Sequence, residues 1–169
     1  MDESKHRGFH LIAAVILPDN AKLARQAVAA LTLRGQTRIH MNKERDSRRR
    51  LILSTLAKLD MDVTIYTAGA RHRTDLARRE HCMRRLAADT ALAGHTHLWI
   101  EQDPTLIDRD RQQIIEAVRS TGQPQFSYAH LSAAAEPLLA IPDAIAWAWP
   151  KGGDWRRRCE PMVTQVVEV

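Results

Sequence analysis

The sequence has little cysteine and no cysteine pattern. Cys82 and Cys159 are the only two cysteines among 169 residues, and no C-x-x-C pair is present. This count excludes a disulfide framework of the kind that stabilises small secreted domains. Because unpaired cysteines fit a reducing compartment, we predict a cytoplasmic protein.

Long hydrophobic runs are also missing. The longest apolar run, residues 11–17, is far shorter than the roughly 20 residues that span a bilayer. Residues 1–8 are too polar for a signal peptide. We therefore expect neither export nor membrane insertion, and no membrane partner.

Motifs of several enzyme classes are absent. The sequence contains no glycine-rich phosphate loop, no Ser-His-Asp pattern and no nucleophile elbow. His95 and His97 would share one face of a strand, as zinc ligands can, but no third ligand stands at metal spacing. The sequence gives no basis for an enzyme that uses a nucleotide cofactor.

Positive charge is present in excess. Lys and Arg total 25 against 20 Asp and Glu, which gives a net charge of +5. Arginine predominates, and its planar guanidinium matches phosphate geometry. This charge suits a polyanion such as nucleic acid, while a solvated basic surface would explain it as well.

Arginines concentrate at the start of one predicted helix and within another. Cations in the first turns of a helix oppose its macrodipole, so a phosphate partner explains them slightly better than stability does. Such contacts would bind the nucleic-acid backbone rather than read its sequence. The predicted contact residues are Arg45, Arg48, Arg49, Arg50, Arg78 and Arg79. A solvated face remains the alternative.

Hydrophobic periodicity predicts strands that alternate with helices. The predicted strands cover residues 9–17, 62–68, 98–100 and 125–129, and the predicted helices cover 19–34, 44–59, 74–93, a segment from 103 onward, and 143–149. Asp108 and Asp110 are assigned to an exposed helix face. This alternation predicts one α/β domain, residues 1–169, with a mixed, mostly parallel central sheet flanked by helices.

Three acids stand where a ligand site could form. Glu101 ends a predicted strand, and ligands of open α/β sheets bind beyond strand ends. Asp143 lies in an almost wholly apolar helix, so it must face water, cap the helix or meet a cation. Together with Asp2, these residues are oxygen donors of the type that Mg²⁺ and Mn²⁺ take. A first-turn helix acid and a solvated strand end remain the alternatives.

Short motifs in this order resemble a known family. They are Asp2-Glu3-Ser4, the apolar strand that ends at Pro18, Ile39-His40 before an arginine-rich helix, Leu98-Trp99-Ile100-Glu101, and the apolar segment 137–148. The sequence resembles the bacterial and phage family called domain of unknown function 3800. Its members open with Asp-Glu-Ser-Gly and close with a similar helix, which is the most specific of the motifs.

The resemblance implies a ribonuclease H-like fold and a metal-dependent nuclease. It nominates Asp2, Glu101 and Asp143 as catalytic residues and as ligands of Mg²⁺ or Mn²⁺. His40 would join them by contacting phosphate or moving a proton, and Glu3 would be accessory. The implied reaction is hydrolysis of phosphodiester bonds in RNA or DNA.

Several positions depart from the family pattern and keep a second hypothesis open. Lys5 replaces a glycine, Arg38 replaces an acid, and Pro142 replaces a small residue; Glu101 stands for an aspartate. Only Met1 precedes Asp2, so the strand that carries the first acid is expected to be missing or shortened. The second hypothesis is a catalytically degenerate module of the same fold that binds nucleic acid or protein.

Tryptophans cluster near the C-terminus. Trp147, Trp149 and Trp155 could form core, a platform for bases, or the interface of a homodimer. The pattern favours core or a partner interface.

Overall fold

The computed structural model describes residues 1–5, 8–123 and 126–169. In these residues the strands are β1 (Asp2–Ser4), β2 (Phe9–Val15), β3 (Asp62–Ala68), β4 (His97–Glu101), β5 (Ser127–Leu131) and β6 (Val163–Glu168). The helices are α1 (Pro18–Leu31), α2 (Asp46–Leu56), α3 (Asp75–Leu92), α4 (Ile107–Thr121), α5 (Ala140–Ala148) and α6 (Gly153–Cys159). A short 3₁₀ turn, Trp149–Lys151, follows α5 directly.

Four strands form one sheet in the order β1-β2-β3-β6, and β4 and β5 form a second pair. Strand β2 runs antiparallel to both β1 and β3, whereas β3 and β6 are parallel, as are β4 and β5. The four-stranded sheet is therefore mostly antiparallel, and the prediction of a mostly parallel sheet is wrong.

Two connections explain this error. Ser4 and Phe9 are too close in sequence for a parallel crossover, which takes about a dozen residues or more. Between β2 and β3 the chain passes through two helices, α1 and α2, and re-enters the sheet with Asp62 opposite Val15. A count of alternating strands and helices does not distinguish such a helix pair from a single crossover helix.

Met1 joins the two sheets. Its main-chain nitrogen donates to the Trp99 carbonyl oxygen at 2.8 Å, and the Glu101 N–H donates to the Met1 carbonyl oxygen at 3.2 Å. The two bonds flank Ile100 and place β1 beside β4. The first acid therefore does have a strand, although β1 is only three residues long.

Helices cover both faces of the sheet, which makes this a mixed α/β structure. Successive residues of a strand point to opposite faces, so Ile12 packs on one core while Leu11 packs on the other. The first core lies under α1, α2 and α5 and includes Val28, Ile52, Leu53, Ile65, Ile141 and Ile145. The second lies under α3 and α4 and includes Phe9, Met83, Leu86, Ile100 and Ile114.

Some element boundaries differ from the predictions. Helix α5 begins at Ala140 rather than at residue 143, because a proline at position 142 is tolerated in a first turn, where its missing N–H has no intrahelical partner. Strand β5 begins at Ser127, and the predicted start of this strand, Gln125, lies outside the described residues. Strand β6 is not among the strands predicted from the sequence. Among the described helices, none combines the length and the apolar character needed to cross a membrane.

Candidate functional site

Three elements bring the predicted acids together. Asp2 lies in β1, Glu101 is the last residue of β4, and Asp143 lies in the first turn of α5, which packs against β1. Burial, together with the charges of Asp143 and Glu101, raises the pKa of Asp2 to about 7. The three carboxylates are therefore close enough to repel one another. We call them the acid cluster.

Asp143 is held by the segment that precedes α2. Its Oδ2 accepts a hydrogen bond from the Met41 N–H at 3.1 Å, and its Oδ1 lies 3.7 Å from His40 Nδ1. Burial raises the pKa of Asp143, although the Met41 bond and the nearby His40 act in the opposite direction. Asp143 thus neither caps its own helix nor lies freely in water, since it is largely buried against a neighbouring segment.

Arg38 supplies a permanent positive charge at the acid cluster. Its guanidinium pairs with the Glu101 carboxylate, and both side chains are partly exposed. Arg38 is one of the departures from the family pattern noted in the sequence. In the structure it takes up part of the charge that a bound cation would otherwise balance.

The donor set at the acid cluster suits a hard divalent cation. Carboxylate oxygens come from Asp2 and Asp143, and His40 Nδ1 is buried with no hydrogen-bond partner among the residues described. In residues 1–5, 8–123 and 126–169, however, no group of three or more His, Cys, Asp or Glu side chains is arranged to hold a metal ion. Mg²⁺ is commonly bound through one or two carboxylates plus water and phosphate, so two carboxylates are compatible with it. A three-ligand centre stays a prediction.

A surface pocket of about 390 Å³ opens beside these two carboxylates. Asp2 and Asp143 contribute to its lining, and Lys5, Trp147 and Lys151 do so as well. The pocket therefore combines acids with cations and an aromatic side chain. A substrate that carries both phosphate and a planar ring would find a chemical counterpart for each group there.

Some of the arginines predicted to contact nucleic acid are paired within the protein, and others are exposed. The prediction is wrong for Arg79. Arg79 is buried, with two hydrogen bonds to the Asp110 carboxylate at 3.2 and 2.8 Å and a third to Glu3. Its guanidinium is engaged inside the protein and is not presented to a phosphate. Arg78, on the same helix, pairs with Asp75 at 2.8 Å.

The arginines of α2 are also partly engaged. Arg48 pairs with Glu44 at 3.4 Å, and Arg49 donates to Asp46 at 2.7 Å. Arg45 and Arg50 are exposed and remain the most accessible of the predicted contacts. Nucleic-acid binding by these residues stays a prediction.

The three C-terminal tryptophans make contacts within the chain. Trp149 is buried, and the Arg156 guanidinium carbon lies 3.9 Å from its ring centroid. Trp147 and Trp155 are half-buried and meet edge to face, with centroids 4.9 Å apart. The predicted homodimer interface is not tested by these contacts and stays a prediction.

A buried ion cluster that was not predicted from the sequence lies on the other face of β1. Asp110 is 1% exposed, so its assignment to an exposed helix face is wrong. Beside its bonds to Arg79, it lies 3.2 Å from His130 Nε2. The sequence did contain a sign of this burial, because Asp110 stands four residues before Ile114 and therefore lies on the apolar face of α4. Glu3, predicted to be accessory to the acids, belongs to this cluster.

Comparisons with protein-family models, with curated proteins and with solved structures give no match. The resemblance to the domain of unknown function 3800 family thus stays a prediction from motifs.

Proposed function

We propose that this chain is a divalent-metal-dependent nuclease that hydrolyses phosphodiester bonds of RNA or DNA. One arrangement carries the proposal: Asp2 of β1 and Asp143 of α5 line the same pocket, and Glu101 lies beside them because its N–H bonds to the Met1 carbonyl oxygen at 3.2 Å. Burial and the charges of the other two acids raise the pKa of Asp2, which agrees with this arrangement. Carboxylates that repel one another in a partly buried site are costly to the fold, and perturbed groups of this kind cluster at functional sites. A bound divalent cation would remove the repulsion.

The strand arrangement supports the ribonuclease H-like fold that the resemblance implies. Strands β1, β2 and β3 form an antiparallel set, and the Met1 bonds continue it to the parallel pair β4 and β5. Such a mixed layer, with helices on both faces, places the acid cluster where β1 and β4 meet.

Asp2 and Asp143 would hold the cation, with Glu101 as a third ligand once it is released from Arg38. A bound Mg²⁺ or Mn²⁺ supplies Lewis-acid activation of a phosphoryl oxygen and lowers the pKa of water. The rest of the chemistry falls to side chains of this chain. His40, whose Nδ1 lies 3.7 Å from Asp143 and is otherwise unpartnered, is the group placed to accept or deliver a proton.

Cleavage of labelled single- and double-stranded RNA and DNA tests the proposal. We expect cleavage with Mn²⁺ or Mg²⁺ and none with chelator. Asp143→Asn should lose at least about 10- to 100-fold in activity, because changes to groups that only support metal ligands already cost that much. Asp108→Asn is the matched control, since Asp108 is exposed on α4 and does not line the pocket beside Asp2 and Asp143. Full activity of Asp143→Asn, or cleavage that ignores chelator, would contradict the proposal.

A second candidate function is a non-cleaving module that binds nucleic acid or protein. The Arg38–Glu101 ion pair favours it, because it supplies counter-charge from within the chain. That candidate predicts salt-dependent binding that chelator does not change, and no cleavage.

A further inference from the structure

Helix α5 and the turn after it carry three chemically different side chains at regular spacing. Asp143, Trp147 and Lys151 stand four residues apart, so the first two lie on one face of α5, about 6 Å apart along its axis. All three line the same pocket of about 390 Å³. An acid, an aromatic ring and a cation therefore follow one another along one wall.

Two cations contact the ring of Trp147, and they differ in how firmly they are held. The Arg49 guanidinium carbon is 4.5 Å from the ring centroid and is held by bonds to Asp46 and to the Met41 carbonyl oxygen. Lys151 Nζ is 4.6 Å from the same centroid. Lys151 is exposed, and in the described part of the chain no carboxylate pairs with it. Its ammonium can therefore leave the ring at little cost.

We propose that Trp147 and Lys151 form a nucleotide-binding subsite, in which a base of single-stranded nucleic acid stacks on Trp147 and Lys151 binds a flanking phosphate. This inference rests on the proposed nuclease function, in which the scissile phosphate would lie at Asp143. The nucleotide next to that phosphate would then occupy the subsite.

The chemistry of the pocket favours a single strand over a duplex. An indole ring offers its face to any base, and stacking of this kind requires a base that is not already stacked and paired. Lys151 adds a point charge for the backbone but no hydrogen-bond pattern that would distinguish bases. The subsite is therefore expected to bind single strands with little sequence preference.

The test measures binding rather than cleavage, so that its result is separate from that of the nuclease. Fluorescence anisotropy follows labelled oligo(U), oligo(dT) and a duplex of equal length in the presence of chelator. Trp147→Leu should weaken single-strand binding by roughly 5- to 150-fold, the range for loss of one stacked base. Trp147→Phe keeps an aromatic face and should retain most of the wild-type affinity. Trp99→Leu is the matched tryptophan control, since Trp99 contacts Arg25 and does not line the pocket.

The role of Lys151 has its own readout. Each phosphate contact on a single strand contributes about 0.7 to the slope of log K against log salt, so Lys151→Gln should lower that slope by about this amount. Lys58→Gln, at an exposed lysine of a different surface, should leave it unchanged.

The outcomes separate the two proposals. Weakened binding in Trp147→Leu with rescue by Trp147→Phe supports the subsite, even where no metal-dependent cleavage is found and the nuclease proposal fails. Unchanged single-strand affinity in a folded Trp147→Leu, or an unchanged salt slope in Lys151→Gln, overturns the subsite and leaves the nuclease proposal standing. A duplex that binds as tightly as a single strand, with the same dependence on Trp147, overturns the preference for single strands.

Discussion

Two charge clusters lie on opposite faces of the short strand β1, and they differ in balance. On one face Glu3 and Asp110 meet Arg79, and Lys5, which also lines the pocket beside Asp2 and Asp143, lies 3.6 Å from Glu3. Two carboxylates there face two permanent cations. We call this set the balanced cluster.

The acid cluster on the other face is not balanced. Among the residues that the structure describes, its three carboxylates, Asp2, Glu101 and Asp143, have one permanently charged side-chain partner, Arg38, beside the ammonium of Met1. The two clusters share a strand because neighbouring residues of β1 point in opposite directions. A cluster whose charges cancel stabilises the fold, whereas one with excess negative charge is expected to be costly until a cation binds. Charge balance, more than burial, is therefore what separates a structural cluster from a candidate site here.

The largest expected effect comes from breaking the balanced cluster. Arg79→Met should lower the free energy of unfolding by about 3–5 kcal/mol, because it leaves two carboxylates without their buried partner. Urea denaturation measures the change. Arg78→Met is the matched control, since its pair with Asp75 lies nearer the surface and is worth at most about 0.5 kcal/mol. A loss below about 1 kcal/mol in Arg79→Met would show that the cluster is not structural.

Removing a negative charge from the acid cluster should instead raise the free energy of unfolding. Below about pH 4, Asp2 is protonated in both folded and unfolded chains and contributes nothing. As pH rises towards 7, the unfolded chain releases the proton before the folded one does, so stability falls. Above pH 7 the carboxylate is ionised in both states, and its burial then lowers the free energy of unfolding by at most about 4 kcal/mol.

Asp2→Asn should therefore stabilise the protein at pH 8 and leave its stability unchanged near pH 3.5. Urea denaturation of both variants across this pH range measures the difference, with Asp108→Asn as an exposed control that should follow the wild type. Equal stability of Asp2→Asn and wild type at pH 8 would mean that the acid cluster carries no excess repulsion.

These contrasts also show what the sequence could and could not predict. The spacing of apolar residues located most helices, and the strand end at Glu101 and the apolar context of Asp143 pointed to the acids that the fold brings together. The balance of positive and negative charge within each cluster could not be predicted from the sequence. Arg38 and Glu101 are 63 positions apart, and their pairing depends on how the chain returns to the sheet.

The missed features have similar causes. Strand β1 is too short to give a periodic signal, and its pairing with β2 made the sheet mostly antiparallel. Arg79 was predicted to contact phosphate because it belongs to a cluster of arginines on one predicted helix. Its partner Asp110 lies on an apolar helix face, and only that face indicates that both side chains are buried.

A divalent cation should bring the acid cluster towards balance. With a Kd of about 1 mM, 10 mM Mn²⁺ would stabilise the wild type by about 1.4 kcal/mol. Thermal unfolding with and without Mn²⁺ measures the shift, which should disappear in Asp143→Asn and persist in Asp108→Asn. A shift of equal size in Asp143→Asn would place cation binding elsewhere on the protein.

The smallest expected effect concerns Arg38, which decides between the two candidate functions. Arg38→Gln frees Glu101 and removes one positive charge, so Mn²⁺ should bind about fivefold more tightly, a gain of about 1 kcal/mol. Arg38→Lys keeps the charge and should behave like the wild type in calorimetric titration.

If Arg38→Gln also raises the cleavage rate, Arg38 restrains an active nuclease by occupying a ligand. If it tightens Mn²⁺ binding while cleavage remains absent, the acid cluster is a cation site within a binding module. Unchanged Mn²⁺ affinity would instead mean that Glu101 takes no part in the site, which would leave Asp2 and Asp143 as the only carboxylate ligands.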